Sequence, residues 1–276
     1  MASDVVWWPG AAGADPGRVA VVSVSYNTRE LTALLLWSLC EIVTWPALEI
    51  VIVDNGSRDG SAELLAGAAR AGVCVLLAND ANRQHGPGLN QAISWLASRP
   101  GPRPAWIWIL DSDVAAARPD VLAAALAAAR SAKAALAGEP RWDPWHQAER
   151  FELYSLLLDP AQVWRPGIGP FTDGGDPSFD LLSSAARSGL RQAAFPFATE
   201  GHVIHRGRGS LAAVFAAGDR SHPLHDWASG HHAPHFGGVP GAAERYQALL
   251  RTFRQQTGPL TPASLAAACG YPTGPS

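Results

Sequence analysis

The sequence contains little lysine, little cysteine and no excess of basic charge. Lys133 is the only lysine among 276 residues, and 21 Lys and Arg against 24 Asp and Glu give a net charge of −3. This balance, without any cluster of basic residues, argues against a general nucleic-acid-binding protein. The three cysteines are far apart and form no CxxC spacing, which argues against a disulfide framework or a zinc knuckle.

Long apolar runs are also missing. The most apolar stretch, LTALLLWSLCEIV at residues 31–43, is shorter than the roughly 18 residues that a transmembrane helix needs. The N-terminus has no basic region followed by an apolar core, which a secretory signal peptide would have. We therefore expect a soluble, cytoplasmic protein without a transmembrane segment. Residues 1–17 are rich in Gly, Ala and Pro and are expected to form a flexible leader.

The first half of the chain alternates between apolar β-branched runs and amphipathic segments. This rhythm is typical of βαβ units, whose parallel strands are buried on both faces. The predicted strands are 19–25, 48–54, 73–78 and 105–111, and the predicted helices are 29–43, 61–70, 88–97 and 119–130. Residues 132–138 fit either a fifth strand or a continuation of the last helix.

The second half is less regular. A helix is predicted over 179–189, short strands over 190–197 and 202–205, and a last amphipathic helix over 242–253. We divide one α/β domain into a first half at 18–138 and a second half at 139–257. Residues 258–276 are expected to form a surface-bound or frayed tail.

Polar clusters follow three of the predicted strands. They are SYN at 25–27, DNGS at 54–57 and DSD at 111–113. In an open parallel sheet, the carboxyl ends of the strands meet at one edge, where ligands bind. Buried aspartates are costly unless they are paired, hydrogen-bonded or bound to a metal. The sequence therefore predicts a ligand site at this edge.

These clusters resemble the motifs of family 2 glycosyltransferases, which have the GT-A fold. SYN at 25–27, VDNGSRDGS at 53–61, the segment NRQHGPGLNQAI at 82–93 and the acidic DSD occur in the family's order over residues 19–114. The resemblance implies a Rossmann-like, mostly parallel sheet flanked by helices, with a less regular acceptor-binding C-terminal part. It also implies transfer of a sugar from a nucleotide-diphosphate sugar of the UDP, TDP or GDP type.

The resemblance further implies which residues bind the nucleotide sugar. Asp54 would accept a hydrogen bond from the base, Tyr26 would pack against base or ribose, and Gly88 would let the backbone approach the ligand. Asn27 could instead only cap the next helix, Arg83 could be an ordinary surface residue, and His85 is given no role. The full set is Ser25, Tyr26, Asn27, Asp54, Asn55, Arg83, Gly88, Asn90, Asp111 and Ser112.

A divalent Mn²⁺ or Mg²⁺ ion is the implied cofactor, because oxygen ligands suit both ions and leave room for phosphate. Asp113 is the first candidate ligand. Asp111 would help through a water molecule or hold the ribose. His205, in HVIHRGRGS at 202–210, matches a histidine that the family often places before a Gly-rich turn. An ordinary core or hydrogen-bonded histidine is the alternative.

The catalytic base is the point at which the chain departs from the family. Inverting members often carry an acidic ED pair there, but Pro177 and Ser178 occupy that place. Asp176 has the spacing to Gly189 of a family variant with a single aspartate and is the first candidate. Asp180 is the second, with the alternative of an exposed acid in the first turn of a helix. Asp173 stays open.

A histidine-rich segment at 221–236 is the candidate acceptor wall. The residues expected to contact the acceptor are His225, Asp226, Trp227 and His232. The alternatives are a second metal site or a histidine-rich loop without a single function.

The overall prediction is an inverting, metal-dependent glycosyltransferase that acts on a small-molecule or lipid-linked acceptor in natural-product or glycoconjugate biosynthesis. Three other functions remain open: a sugar-nucleotide-binding protein without turnover, a nucleotidyltransferase, and a metal-dependent hydrolase built on the histidines. The oligomeric state is open, with a homodimer as one option.

Overall fold

The computed structural model describes residues 5–143, 147–172, 176–217 and 225–271. Its strands are β1 (Ala14–Ser25), β2 (Leu48–Asn55), β3 (Val75–Asn79), β4 (Arg103–Leu110), β5 (Val114–Ala116), β6 (Leu136–Asp143), β7 (Ala148–Leu158), β8 (Gln192–Ala194) and β9 (Val203–His205). Seven of them form one sheet in the order β3-β2-β1-β4-β7-β6-β8, and β5 pairs with β9 in a separate ribbon.

The helices flank this sheet. They are α1 (Arg29–Glu41), α2 (Ser61–Arg70), α3 (His85–Ser98), α4 (Val121–Ser131), α5 (Pro160–Val163), α6 (Phe179–Arg187), α7 (Gly209–Ala217), α8 (His225–His231), α9 (Ala242–Thr257) and α10 (Pro262–Ala268), with a 3-10 turn at Phe236–Gly238. Within the described residues, none of these helices is both long enough and apolar enough to cross a membrane.

The sheet is mainly parallel, which confirms the predicted fold class. Strands β1 to β4 run parallel to one another, whereas β7 is antiparallel to both of its neighbours, β4 and β6. The central strands bury both faces: Val19 and Val21 belong to one apolar cluster, and Ala20 and Val22 to the other. This two-sided burial explains why these strands are unbroken apolar runs in the sequence.

The second half contributes more to the sheet than the sequence suggested. Strand β6 begins at Leu136, and the predicted boundary at residue 138 falls inside it. The eleven residues of β7 fill the middle of the sheet between β4 and β6, where no strand was assigned. Its sequence mixes apolar residues with Arg150 and Glu152, so it lacks the uniform apolar run that identified the other central strands.

The N-terminal segment contacts the core through Trp8, which lies within the predicted flexible leader of residues 1–17. Trp8 is 5% exposed, and its backbone N–H donates to the carbonyl oxygen of Trp164 at 2.9 Å. The Trp164 indole N–H donates to the carbonyl oxygen of Val6 at 2.9 Å. Burial of the large Trp8 indole is favourable enough to order this segment despite its Gly and Ala content.

The C-terminal segment, predicted as a surface-bound or frayed tail, is packed against the rest of the chain up to residue 271. Helix α10 is opened by a capping box between Thr261 and Ser264, and it buries Leu265 and Cys269. It lies against α2 so closely that a Cβ on Gly67 would come within 2.1 Å of Pro262.

We predict that Trp8→Ala lowers the free energy of unfolding by about 3 kcal/mol, the usual cost of truncating a buried tryptophan. Urea denaturation followed by fluorescence would measure this loss. Val6→Ala is the control, because the Val6 side chain is 43% exposed and its carbonyl bond to Trp164 survives the substitution. Equal stability of the two variants would show that residues 5–13 do not contribute to the fold.

Candidate active site

The DSD segment lies between two strands, and strand pairing brings a histidine to it. Asp111 follows β4, and Asp113 precedes β5, whose Val114 pairs with His205 of β9. The Nε2 atom of His205 lies 3.4 Å from Asp113 Oδ1 and 4.0 Å from Asp111 Oδ2. One ligand atom from each of the three side chains lies within 4.8 Å of the other two. Residues about ninety positions apart thus form one compact cluster.

Asp113 is buried, Asp111 and His205 are partly buried, and the charges of the three side chains depend on one another. Burial opposes ionisation of Asp113, but the His205 imidazole and the Gly209 N–H, which donates to Oδ2 at 2.8 Å, outweigh it and lower the pKa of Asp113. Burial raises the pKa of Asp111. For His205, burial alone would lower the pKa, yet the carboxylates of Asp113 and Asp111 raise it. Negative charge is therefore concentrated where a cation can offset it.

The three side chains fit a divalent ion. Two carboxylates and one imidazole are suitable donors for Mn²⁺ or a similar metal. Asp111 Oδ1 is buried and has no hydrogen-bond partner among the described residues. Its nearest basic atom is His85 Nε2 at 3.5 Å, too far for a hydrogen bond. No role was predicted for His85, yet this first residue of α3 is part of the site.

A cavity of about 310 Å³ opens beside the cluster. Its walls come from the ends of β1 and β2, from the start of α3 and from the start of α7. They include Tyr26, Asn55, Asn82, Gln84, Gly86, Asp111, Ser112, Asp113, Arg208 and Ser210. Near this edge, at the end of β2, Asp54 is 1% exposed. Its Oδ2 accepts the Ser57 N–H at 3.0 Å, whereas Oδ1 has no hydrogen-bond partner in the described chain.

A larger cleft of about 1030 Å³ lies on the other side of Asp111. Strand β7 forms one wall with Arg150, Glu152 and Tyr154, and the start of α6 forms another. Among the described residues, four line both spaces. The smaller cavity and the larger cleft therefore meet at His85, Asp111, Thr172 and Pro177.

The two candidate bases differ in their surroundings. Asp176 Oδ1 accepts the N–H and the O–H of Ser178 at 2.9 and 2.8 Å, and Oδ2 pairs with Arg150. Arg150 also pairs with Asp143 and lies over the Phe179 ring at 5.2 Å. Asp180 is exposed in the first turn of α6, and its carboxylate has no ion pair within the described residues. The third candidate, Asp173, lies outside them.

Three predicted nucleotide ligands instead have structural contacts. The Ser25 hydroxyl is buried against Thr28 and Thr32 at 3.3 and 3.0 Å. The Asn90 amide donates to the carbonyl oxygen of Phe171 at 2.7 Å and accepts its N–H at 3.0 Å. A Cβ on Gly88 would come within 2.9 Å of Val24, so this glycine allows helix–strand packing. These contacts give the three residues structural roles, and the direct ligand roles stay predictions.

Asn27, Asn55 and Arg83 also have protein partners. Asn27, with φ of 52°, accepts the Arg58 N–H at 2.7 Å and so ties two loops together. It is not a helix cap, because α1 begins after Thr28. The Asn55 amide donates to Gln84 at 3.0 Å, although Asn55 still lines the smaller cavity. Arg83 is half exposed and lies 3.9 Å from Asp80.

The predicted acceptor wall does not line either space as far as the structure describes it. The side chains of His225 and Trp227 lie outside the described residues, although both belong to the backbone of α8. Asp226 is exposed on the same helix. The His232 ring stacks on Phe215 with 4.0 Å between centroids. The described wall of the larger cleft is instead β7, whose alternation in RFELY at 150–154 was the overlooked sequence pattern.

Comparison with known proteins points to one enzyme family. The family model described as Glycosyl transferase family 2 matches residues 20–168, more than half of the chain. Undecaprenyl-phosphate 4-deoxy-4-formamido-L-arabinose transferase of Yersinia enterocolitica is 38% identical over 72 residues, which cover 25% of this chain and 22% of that protein. The matched segment is therefore under a quarter of that relative's length.

Two solved structures share the fold. The mannosyltransferase PcManGT from Pyrobaculum calidifontis, in complex with GDP-Man and Mn²⁺, is 20% identical, with coverage of 95% of this chain and 88% of that chain and a TM-score of 0.51. S. aureus TarS 1-349 is 15% identical, with coverage of 72% and 64% and a TM-score of 0.50; the chain thus spans under two thirds of it. The family match shows that the chain belongs to glycosyltransferase family 2, and the shared sheet shows the GT-A fold.

Proposed function

We propose that this glycosyltransferase transfers a sugar from a nucleoside-diphosphate sugar to an acceptor hydroxyl, with inversion at the anomeric carbon and with a divalent cation. The observation that carries the proposal is the junction of the two spaces at Asp111 and His85. A donor in the smaller cavity and an acceptor in the larger cleft would place their reacting atoms at this junction.

The smaller cavity suits a nucleotide. Asp54 offers a buried carboxylate oxygen without a partner in the described chain, and an N–H of the base would supply the missing hydrogen bond. The Tyr26 ring lines the same space and provides a surface for the base or ribose. Arg208, which also lines it, would attract the diphosphate. Ribose and phosphate thus each have a matching group in the smaller cavity. The group for the base, Asp54, directly precedes Asn55, which lines that cavity.

Asp111, Asp113 and His205 would hold the cation, which Mn²⁺ or Mg²⁺ would provide. When bound, such an ion stabilises the negative charge that grows on the departing diphosphate. The chain's own part is to keep both carboxylates at the junction and to orient them. Asp113 is fixed by the Gly209 N–H at its carboxylate and by the Arg206 N–H at its carbonyl oxygen.

Asp176 is the proposed general base. It directly precedes Pro177, which lines both spaces, whereas Asp180 lies a helical turn farther along α6. Arg150 and Ser178 hold the Asp176 carboxylate in one orientation. An ionised carboxylate retains free lone pairs beyond these contacts. One of them would take the acceptor proton as the hydroxyl oxygen attacks the anomeric carbon from the face opposite the leaving diphosphate.

Other functions predict different behaviour. A sugar-nucleotide-binding protein would bind the donor without turnover. A nucleotidyltransferase is disfavoured because SYNTRE, rather than a Gly-rich basic loop, follows β1. The Yersinia relative acts, by its name, with undecaprenyl phosphate, which supports a lipid-linked acceptor here. A small-molecule acceptor in natural-product or glycoconjugate biosynthesis remains the other option.

Calorimetry with UDP, TDP and GDP, each with and without Mn²⁺, tests this proposal. We expect one nucleotide to bind at least about tenfold more tightly with Mn²⁺, since the ion would screen the diphosphate from both aspartates. Proton NMR of a reaction with the matching nucleotide sugars should then show a product of inverted anomeric configuration. Binding of no nucleotide, either with or without Mn²⁺, would overturn the proposal, and a retained configuration would overturn the single displacement.

A further inference from the structure

A buried glutamate connects two segments that lead to the metal cluster. Glu139 of β6 is 7% exposed, and its carboxylate accepts only from protein groups. Oε2 accepts the O–H of Tyr154 at 3.1 Å and the N–H of Ala198 at 2.6 Å. Oε1 accepts from the hydroxyl of Thr199. Glu139 therefore ties β7 to the turn at 198–199, which precedes β9 and His205.

Tyr154 contacts two of the three clustered residues. Its ring stacks on the His205 imidazole, with 4.2 Å between centroids and 19° between planes. Its carbonyl oxygen accepts the backbone N–H of Asp111 at 3.1 Å. Burial, reinforced by the nearby Glu139 carboxylate, raises the pKa of Tyr154. The hydroxyl therefore stays protonated and keeps donating to Glu139.

His205 depends on this stacking for its orientation. A metal-binding histidine is usually fixed by a hydrogen bond to its second ring nitrogen. Within the described residues, Nδ1 of His205 makes no such bond. The His205 ring stacks on Tyr154 and meets the His235 ring edge-on, with 5.7 Å between the two histidine centroids. Packing against an anchored tyrosine thus replaces the usual hydrogen bond.

We propose that Tyr154, anchored by Glu139, is a positioning residue that fixes the His205 imidazole toward Asp111 and Asp113 and so tunes cation binding. The inference rests on the proposed function, since it concerns the cation that Asp111, Asp113 and His205 would hold. It adds two residues that the family motifs in the sequence do not mark. In this role Tyr154 and Glu139 act through His205, and Tyr154 also lines the larger cleft.

A double-mutant cycle tests the coupling between Tyr154 and His205. The measured quantity is the Mn²⁺ dissociation constant, obtained by calorimetry with saturating nucleotide and by electron paramagnetic resonance of free Mn²⁺. We expect Tyr154→Leu to weaken Mn²⁺ binding at least about tenfold, the usual size of such indirect effects. Tyr154→Phe, which keeps the ring and loses the anchor, should weaken it by roughly threefold. In a His205→Ala background, both substitutions should change the affinity less than about twofold.

Tyr246→Phe is the matched control, because Tyr246 is buried and its hydroxyl has no hydrogen-bond partner among the described residues. It should leave Mn²⁺ affinity unchanged. An equal loss from Tyr154→Leu in both backgrounds would show a merely structural role, and no loss in either would also overturn the inference. If Tyr154→Leu does not fold, Tyr154→Phe carries the test alone. Failure of the unmodified protein to bind Mn²⁺ would instead overturn the metal-dependent function, and this inference with it.

Discussion

Asp113→Asn is expected to abolish Mn²⁺-dependent nucleotide binding and to lower kcat/KM by about 10³-fold. The Asp113 carboxylate is buried, contacts His205 at 3.4 Å and is held by the Gly209 N–H. Asparagine keeps the size and an oxygen acceptor but removes the charge that a cation would neutralise. A bound metal is worth several kcal/mol of charge stabilisation in a transition state, and about 4 kcal/mol corresponds to 10³ in rate.

Asp120→Asn is the control, since Asp120 is an exposed acid paired with Arg118. It should leave both nucleotide binding and kcat/KM unchanged. Circular dichroism of both variants would show that the fold is retained. If Asp113→Asn bound nucleotide as tightly as the unmodified protein and kept its Mn²⁺ dependence, the cation would not be held by this cluster. The DSD segment would then have a structural role only.

The parallel part of the fold was predictable because each strand there has two apolar faces. Runs such as 19–25 and 105–111 can be recognised locally, and their polar ends meet by topology alone. The sequence pattern alone therefore predicts that Asp111 and Asp113 lie at one edge of the sheet. The approach of His205 was predictable only by resemblance, because it depends on the pairing of two three-residue strands, β5 and β9. Strands this short carry little sequence pattern.

The direction of individual side chains was not predictable from motif membership. Ser25 and Tyr26 are neighbours in SYN, yet Ser25 points into the protein and Tyr26 lines the smaller cavity. Ser25 is the last residue of β1 and Tyr26 lies in the bend after it, so a motif at a strand end contains both supporting residues and cavity-lining residues. Asn90 is likewise a supporting residue, because its side chain makes two hydrogen bonds to the backbone of Phe171. Which neighbour has which role depends on packing partners far away in the sequence.

Strand β7 was missed for a related physical reason. One face of it packs in the sheet, and Arg150, Glu152 and Tyr154 face the larger cleft. A strand that forms the wall of a cleft has polar residues at every second position, where a fully buried strand has apolar ones. Since 139–157 also contains Pro and Trp residues, the alternation in RFELY at 150–154 was hidden among irregular sequence. The acceptor side was for this reason assigned to the histidine-rich segment instead.

Asp176→Asn is expected to lower kcat by about 10³-fold without changing nucleotide affinity. A positioned general base contributes roughly 10²–10⁴-fold, and asparagine cannot accept the acceptor proton. Asparagine can still accept from Ser178, and Arg150 still has Asp143 as a partner. The local structure should therefore survive, and the loss should be confined to the chemical step. Steady-state kinetics together with nucleotide calorimetry on the same preparation would separate the two effects.

Asp180→Asn provides the matched comparison, because it makes the same chemical change four residues away and at the wall of the same cleft. It should lower kcat by less than about tenfold, because Asp180 lies in the first turn of α6, whereas Asp176 directly precedes Pro177, which lines both spaces. A large loss for Asp180→Asn with a small loss for Asp176→Asn would reverse the assignment. Asp176 would then be the anchor that holds Arg150 beside Phe179, and the exposed carboxylate of Asp180 would be the base. Small losses for both would show that neither carboxylate is the general base.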